Sequence, residues 1–313
     1  MRRSLLVSAA AVCLGASLYG AEFINVLTGG TSGIYYPLGV ALSQMYAKAI
    51  PDSKTAVQAT KASVENLNLL QAGRGEVAIS LGDSFSDAYK GDADAGFKAP
   101  LSKLRTISAL YPNYIHFVAA ADSGIKSFAD IKGKRISVGA PKSGTALNSK
   151  KILEAAGIKY EDFSKVEYLS YAESVELMKN RQLDVTLLSS GAGVAALRDL
   201  ATSQKVVFLS IPEEIVKKID DPAYQVGIIP ANTYEGQTTD VQTISVQNFL
   251  VTHAGVSEKT VYLMTKTMFE NLDQMVAAHA AAKGISLANA AKNPPAPLHP
   301  GAEKYYKEMG IIK

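Results

Sequence analysis

Short β-rich runs alternate with helical patterns from Phe23 onward, and this alternation restricts the folds that the chain can adopt. The first β-rich runs cover residues 23–27, 56–59 and 77–81, and helical patterns over 34–49 and 63–72 separate them. Strand, turn and helix therefore follow one another repeatedly. This order predicts a mainly parallel sheet that is covered by helices.

A second series of the same kind follows later in the chain. It starts with a short helix over 127–131, and its expected strands cover 135–140, 166–169, 184–190 and 206–211. The helical patterns between and after these strands cover 145–156, 172–179, 194–201 and 213–219. Because the second series has the rhythm of the first, the sequence predicts two α/β lobes.

The segments outside the two series predict how the lobes are joined. Residues 104–110 and 114–120 are expected to be paired strands around Tyr111-Pro112-Asn113, and the second strand leaves the first lobe. Later β-like runs at 228–229 and 241–251 carry the chain back, and they precede one long helix over 257–282 and a last helix over 303–309. More than one connecting strand makes a hinge that permits the lobes to close.

The N-terminus has the features of a cleavable secretory signal. Arg2 and Arg3 form a short basic region, and Leu5–Leu18 is an apolar run of 14 residues, which is shorter than the roughly 20 residues of a membrane-spanning helix. Small residues follow it, so we expect cleavage near Ala21 and a periplasmic location. Cys13 is the only cysteine; a lipid-anchored start there is the disfavoured alternative, and its removal excludes disulfides and thiolate sites.

These features divide the chain into four parts. Residues 1–21 are the signal peptide, 22–118 the first lobe, 119–227 the second lobe, and 228–313 the return to the first lobe with the C-terminal helices. The polar segment 91–100 is expected to be an exposed loop of the first lobe, and the sequence leaves open whether it covers the cleft.

Charge gives no support for a nucleic-acid partner. The formal net charge is +3, and removal of Arg2 and Arg3 lowers it to +1. The composition is 47% hydrophobic, which is ordinary for a globular protein. A basic surface of the kind that binds nucleic acid is therefore not expected.

Two glycine-containing turns precede predicted helices, one in each lobe. The first is Gly29-Gly30-Thr31-Ser32-Gly33, and the second is Pro141-Lys142-Ser143-Gly144-Thr145. A helix start exposes N–H groups and the positive end of the helix dipole, which suits an anion. The first turn matches neither a phosphate loop nor a dinucleotide fingerprint, and no cofactor is expected. The alternative interpretation is that Thr31 or Ser32 only caps the helix.

Other polar residues follow predicted strands at the same edge of the sheets, where ligands bind in open α/β folds. In the first lobe they are Gln58, Thr60, Ser63, Asn66, Asp83 and Ser84, and in the second lobe they are Asn148, Ser170, Tyr171, Ser189, Ser190 and Gly191. Each could instead make only a cap or turn hydrogen bond. Asp83 could receive a ligand ammonium group.

The sequence offers little for catalysis. None of the four histidines has another histidine or a carboxylate at metal-ligand spacing. Neither a metal site nor a catalytic residue is therefore predicted. The Gly-x-Ser-x-Gly nucleophile elbow is missing around Ser84. An enzyme that uses Asp83 or His116 in acid–base work is the main alternative to a binding protein, and a ligand-sensing module is another.

Several blocks along the chain resemble the TAXI family, the extracytoplasmic binding proteins of TRAP transporters. These blocks are LTGGTSGIYYPLG at 27–39, TKASVENL at 60–67, SGT at 143–145 with Asn148, LEAAG at 153–157, PANTY at 230–234, FENL at 269–272 and LHPGAEKYY at 298–306. The resemblance implies a two-lobed periplasmic-binding-protein fold of the type II, Venus-flytrap kind. It also implies a monomer that captures a small molecule and delivers it to the membrane subunits of a TRAP permease, without ATP.

The ligands that this resemblance implies are small organic anions and amino acids, such as glutamate, glutamine and 2-oxoglutarate. The family's pocket elements would correspond here to Thr31, Ser32, Gly33, Tyr36, Gln58, Thr60, Ser63, Asn66, Ser143, Gly144, Thr145 and Asn148. One departure is the segment Ser189-Ser190-Gly191, where many relatives have a glycine-proline-rich turn. No arginine lies in the predicted pocket turns, so a carboxylate would bind to helix starts, hydroxyls and amides.

Overall fold

The computed structural model describes residues 22–313. Its strands are β1 (Glu22–Leu27), β2 (Ser53–Gln58), β3 (Val77–Leu81), β4 (Leu104–Ala120), β5 (Arg135–Ser137), β6 (Lys165–Glu167), β7 (Val185–Ser190), β8 (Val206–Leu209), β9 (Tyr224–Ile229) and β10 (Val241–His253). Its α-helices are α1 (Tyr35–Ala49), α2 (Ser63–Gln71), α3 (Gly82–Lys90), α4 (Gly144–Ala155), α5 (Tyr171–Lys179), α6 (Ala195–Ser203), α7 (Glu213–Ile219), α8 (Glu258–Glu270), α9 (Leu272–Ala278) and α10 (Pro300–Glu308). The signal peptide predicted at 1–21 lies outside the described residues.

The strands form one continuous sheet that runs through both lobes. Eight of them follow the order β2-β1-β3-β10-β4-β7-β5-β6, while β8 pairs with β4 and β9 pairs with β10. The outer three strands on each side pair in parallel, as the alternating pattern predicts. The long central strands β4 and β10 are antiparallel to each other and to the strands beside them. The two-lobed α/β fold with mainly parallel outer strands is therefore confirmed, and β4 and β10 connect the lobes.

The expected hairpin around Tyr111-Pro112-Asn113 is wrong. Leu104–Ala120 is one strand of 17 residues, and Pro112 lies within it, opposite Gln247 of β10. Proline lacks the N–H that a regular ladder needs, and the pairing shifts register just beyond this point, between Gln247 and Phe249. This irregularity lets a single strand pass from one lobe to the other.

The helix expected over 257–282 is also interrupted. It breaks at Asn271, whose φ of −134° and ψ of 38° are not helical, into α8 and α9, and a 3₁₀ turn follows at 280–284. The Asn271 side chain donates to the carbonyl of Thr267 at 2.8 Å. This carbonyl at the end of α8 thus has a side-chain donor in place of the backbone N–H of a continuing helix. Helix α3 was not predicted, because its residues GDSFSDAYK resemble a polar turn.

Three clusters of buried apolar side chains make up the core. One, around Phe85, belongs to the first lobe, and another, around Ile152, lies mainly in the second lobe and also includes Leu81 of β3. The third contains residues of both lobes, such as Leu42 on α1 and Leu197 on α6. The proposed lobe limits at 118 and 227 fall inside β4 and β9, and they stay a prediction.

Two further features concern the surface. Within residues 22–313, no helix combines the length and the apolar character that crossing a membrane requires. The loop 91–100 is not wholly exposed, because Phe97 is buried in the first-lobe cluster. The carbonyl of Asp94 in this loop accepts a hydrogen bond from Lys150 of α4, so the loop touches the second lobe.

Candidate functional site

A cavity of about 110 Å³ lies between the two lobes, at the carboxyl ends of strands β1, β3 and β7. The first lobe lines it with Gly29, Gly30, Ser32, Gly33, Ile34, Tyr35, Thr60, Lys61, Ala62, Ser63 and Leu81, and the second lobe lines it with Ala140, Ser143, Gly144, Thr145, Ser170, Tyr171, Ser189 and Ser190. It is smaller than the roughly 300–1,000 Å³ of pockets for drug-sized molecules, so its size suits a small metabolite.

Four helices begin at this cavity. Helices α1 and α2 come from the first lobe, and α4 and α5 come from the second lobe; the lining contains the first residue of each. The first turn of a helix leaves N–H groups without partners inside the helix and carries the positive end of the helix dipole. The convergence of four such starts makes the cavity electrostatically suited to negative charge.

The helix starts of the two lobes differ in how they are capped. Ser143 accepts from the N–H of Ala146 at 3.1 Å, and Ser170 accepts from the N–H of Glu173, so these hydroxyls cap α4 and α5. The residues before α1 and α2 are Ile34 and Ala62. Among the described residues, neither of these side chains forms a capping hydrogen bond. The alternative interpretation, a cap of α1 by Thr31 or Ser32, is therefore not supported: this cap is not formed.

The backbone around the cavity is strained at two turns. Ala62 has a φ of +71° and Lys142 a φ of +64°, in the region that favours glycine. Such residues cost about 1–3 kcal/mol each and are held in place by the surrounding structure. The carbonyl of Lys142 accepts from the N–H of Glu65 at 3.1 Å, so the turn at Lys142 contacts the first turn of α2 across the lobe boundary.

Two tyrosines fix the walls of the cavity. Tyr35 donates to Oδ1 of Asn248 at 2.5 Å, and Tyr171 donates to the carbonyl of Ser189 at 2.6 Å. Burial raises the pKa of Tyr35 well above its usual value and raises the pKa of Tyr171 to about 12. Both side chains are therefore neutral at pH 7 and act as hydrogen-bond donors.

Eleven of the residues singled out in the sequence line the cavity together: Ser32, Gly33, Thr60, Ser63, Ser143, Gly144, Thr145, Ser170, Tyr171, Ser189 and Ser190. Eight others do not line it: Thr31, Tyr36, Gln58, Asn66, Asp83, Ser84, Asn148 and Gly191. The first group comes from five separate chain segments, which only the fold brings together.

The residues outside the cavity have other partners in the structure. Thr31 and Gln58 are exposed, and the Gln58 side chain accepts from Asn25. Asn66 is fully buried and donates to the carbonyls of Thr28 and Ile79, which ties α2 to β3.

Two small residues lie close to the lobe boundary. Ser84 is buried next to Gly144, and Gly191 packs against Ile34 of the first lobe and Tyr111 of β4. Tyr36 is half-buried on α1, one residue beyond the lining position Tyr35. Asp83 and Asn148 contact each other behind the cavity.

Several lining residues were not predicted from the sequence. Ile34 and Tyr35 directly follow the glycine turn, and Lys61 and Ala62 lie between two predicted residues, Thr60 and Ser63. The sequence signal that marks these four residues is their place in the same turns as the predicted residues. Nothing local marks Leu81 or Ala140, since apolar strand ends are common.

The residues considered for acid–base catalysis are separate from each other and from the cavity. His116 makes hydrogen bonds to Tyr234 at 2.9 Å and to the carbonyl of Tyr114 at 3.0 Å. Burial lowers its pKa to about 4, so it is neutral at pH 7. Asp83 is held by Tyr224 and Asn148. Within residues 22–313, no three His, Cys, Asp or Glu residues are grouped to hold a metal ion.

The model of the NMT1-like family matches residues 26–310, nearly the whole of the described chain. The chain belongs to the NMT1-like family. This member of the family thus has its cavity, its connecting strands and its C-terminal helices inside the matched region.

Solved structures show the same overall fold at low sequence identity. PhnD1 from Prochlorococcus marinus, in complex with methylphosphonate, has a TM-score of 0.61 at 12% identity, over 94% of this chain and 100% of that one. The alkanesulfonate-binding protein SsuA from Xanthomonas axonopodis pv. citri, bound to MOPS, has a TM-score of 0.50 at 15% identity, over 92% and 84%. XAC2383 from Xanthomonas citri, bound to ATP, has a TM-score of 0.52 at 9% identity, over 93% and 97%. The fold is that of the two-lobed periplasmic binding proteins.

Proposed function

We propose that this protein is a periplasmic solute-binding protein that captures a small organic anion by closure of its two lobes. The observation that carries the proposal is the cavity between the lobes, at which four helices begin. An open form would bind the ligand on one lobe, and closure would add donors from the other lobe and expel water. The leader at 1–21 would direct the protein to the periplasm, with cleavage near Ala21.

Charge in the cavity favours an anion. Among the described residues that line it, Lys61 is the only charged one, and the lining contains no aspartate or glutamate. A carboxylate would receive N–H groups from Gly144 and Thr145 on one side and from Tyr35 and Ser63 on the other. Hydrogen bonds from such donors to a charged oxygen are stronger than those between neutral groups.

The same charge pattern bears on the choice among glutamate, glutamine and 2-oxoglutarate. The ammonium group of an amino acid would be desolvated in the cavity, and the described lining offers it no carboxylate. Asp83, which could have received it, lies outside the lining and is held by Tyr224 and Asn148. We therefore favour an anion without an ammonium group, such as a 2-oxo or dicarboxylic acid.

Delivery to a TRAP permease is the further part of the proposal. It rests on the resemblance of blocks such as 27–39, 60–67 and 298–306 to the TAXI family, which serves permeases driven by ion gradients. A second candidate is a sulfonate or phosphonate carrier, because PhnD1 and SsuA hold methylphosphonate and MOPS on the same fold. Helix starts and hydroxyls also suit tetrahedral oxyanions.

Isothermal titration calorimetry with a ligand panel tests the proposal. The panel contains 2-oxoglutarate, succinate, glutamate, glutamine, methylphosphonate, an alkanesulfonate and, as a neutral control, a sugar. We expect the carboxylic acids without an ammonium group to bind most tightly. Preference for glutamate or glutamine would contradict the ammonium argument, preference for the phosphonate or sulfonate would support the second candidate, and binding of the sugar alone would refute an anion site.

The location and the transporter need separate measurements. N-terminal sequencing of the exported protein would show whether cleavage occurs near Ala21. Uptake into vesicles that contain the permease should depend on an ion gradient and not on ATP. Uptake that requires ATP would remove the TRAP proposal and leave the binding proposal in place.

A further inference from the structure

A buried polar cluster lies behind the cavity, and the binding site described above does not use it. Asp83, at the start of α3, is almost fully buried. Its Oδ2 accepts from the hydroxyl of Tyr224 at 2.5 Å and from Nδ2 of Asn148 at 2.6 Å. Asn148 Nδ2 also lies 2.8 Å from the Tyr224 hydroxyl. We refer to Asp83, Asn148 and Tyr224 as the inter-lobe cluster.

The cluster joins the two lobes. Asp83 belongs to α3 of the first lobe, whereas Asn148 lies on α4 and Tyr224 begins β9 and packs in the core cluster of the second lobe. The acceptor thus comes from one lobe and both donors come from the other. Because separation of the lobes would move Asp83 away from Asn148 and Tyr224, these hydrogen bonds belong to the closed form.

A lysine strengthens the same connection at its outer edge. Nζ of Lys151, three residues after Asn148 on α4, lies 3.4 Å from Oδ2 of Asp87 on α3 and 3.0 Å from Oδ2 of Asp221. It also lies 5.4 Å from the centre of the Tyr224 ring. Lys151 therefore bridges a carboxylate of the first lobe and one of the second, beside the inter-lobe cluster.

The cluster is also coupled to the cavity through the helices that carry it. Helix α4 presents Gly144 and Thr145 to the cavity and Asn148 to the cluster, one turn later. Leu81 lines the cavity and directly precedes α3, which carries Asp83. A ligand that fixes the start of α4 against the first lobe therefore also positions the donor and the acceptor of the cluster.

A buried carboxylate needs such donors. Burial of Asp83 removes water from its charge and raises its pKa, and the hydrogen bond from Tyr224 opposes this rise. Loss of one donor leaves a desolvated acceptor only in the closed form, because in the open form water can replace the donor. The effect of removing a donor should therefore fall on closure and not on the fold of each lobe.

We propose that Asp83, Asn148 and Tyr224 form a latch that stabilises the closed form and slows release of the ligand. The proposal rests on the proposed function, since ligand release is its most direct readout. These residues are positioning residues: they act through lobe closure, and they do not line the cavity.

The test compares Tyr224→Phe with Tyr160→Phe, a matched control on a half-buried tyrosine of the second lobe. Stopped-flow kinetics with the tightest ligand of the panel should show a roughly tenfold faster dissociation for Tyr224→Phe, which corresponds to about 1.4 kcal/mol. Association should change less than about twofold, because the latch forms after encounter. The order of ligand affinities and the ligand-free Tm should stay as in the wild type, as they should for Tyr160→Phe.

Two results would overturn the latch. One is a dissociation rate of Tyr224→Phe equal to that of the control. The other is a loss of ligand-free Tm as large as the loss measured with ligand, which would indicate a purely structural role.

A second measurement works without any ligand, so that failure of the binding proposal can be distinguished from failure of the latch. Fluorescent labels are attached at Lys54→Cys on β2 and at Lys165→Cys on β6, in a protein that also carries Cys13→Ala. These two strands lie at opposite ends of the sheet. The closed population seen by energy transfer should be smaller in Tyr224→Phe than in the wild type. Equal populations would refute the latch, even if no ligand of the panel binds.

Discussion

A methyl group added at Gly144 would collide with the first lobe. An ideal Cβ at this position would lie 2.6 Å from Cδ1 of Leu81, 2.8 Å from Oγ of Ser63 and 3.0 Å from Oγ of Ser84. The Ser63 hydroxyl cannot move freely, because it accepts from the N–H of Leu81 at 3.1 Å. The substitution Gly144→Ala should therefore oppose closure.

The expected size of the effect follows from these contacts. Forcing an extra carbon into a packed region costs about 1–3 kcal/mol. If this cost falls only on the closed form, the ligand Kd should rise about 5- to 150-fold. The dissociation rate should carry most of the change, since the open form that first meets the ligand is not affected.

The ligand-free protein should show no such loss. Gly144 is the first residue of α4, and its φ is not positive, so an alanine fits the backbone. Alanine also favours a helix more than glycine does, by up to about 1 kcal/mol in a helix interior and by less at a first position. The ligand-free Tm should therefore stay the same or rise by about 1–2 °C.

Calorimetric titration and thermal unfolding, each with and without ligand, test this reasoning. Weaker binding with an unchanged ligand-free Tm is the expected pair of results. Binding as tight as that of the wild type would mean that the lobes do not approach at Gly144 when ligand is bound. A clear fall in the ligand-free Tm would mean that the added methyl group destabilises the fold itself, and the reasoning about closure would be refuted.

Three further substitutions probe charged side chains, one at the cavity and two elsewhere in the fold. Lys61→Met should raise the Kd of an anionic ligand about three- to tenfold at low salt and less at 0.5 M salt, measured by titration at both ionic strengths; an unchanged Kd would remove Lys61 from the site. Asp184→Asn should lower the Tm by about 2–4 °C at pH 7, because it removes the charge that pairs with Arg135 at 2.5 Å. The Arg135 guanidinium lowers the pKa of Asp184, so this stabilisation is present above the ordinary aspartate pKa and should disappear as the pH falls below it; a pH-independent difference would contradict the assignment. Burial raises the pKa of Asp87 to about 6 despite the nearby Lys151, so its contribution to stability is full below the ordinary aspartate pKa and is lost as the pH rises through about 6. The Tm of the wild type should therefore fall between pH 4.5 and 7.5, and Asp87→Asn should remove this fall. A pH profile of the variant identical to that of the wild type would show that Asp87 does not cause it.

Much of the fold was predictable because its signals are local. The glycine turn at 29–33, the capping serine at 143 and the alternation of strands and helices depend on neighbouring residues, and most predicted elements agree with the structure within a few residues. The misassigned elements are those whose environment overrides local preference. Pro112 lies inside β4 because a long strand must cross between lobes, and Gly82–Lys90 is a helix because its apolar residue Phe85 packs into the first-lobe cluster.

The candidate site was predictable only in part, for the same reason. The sequence by itself determined which turns precede helices at the carboxyl ends of strands, since that order depends on contacts over a few residues. Only the tertiary structure decided which residues of those turns face the cavity, and that Asp83 meets Asn148, 65 positions away, and Tyr224, 141 positions away. Such pairs form because packing of distant segments buries a carboxylate that then requires donors, and no local pattern in the chain encodes which donors will reach it.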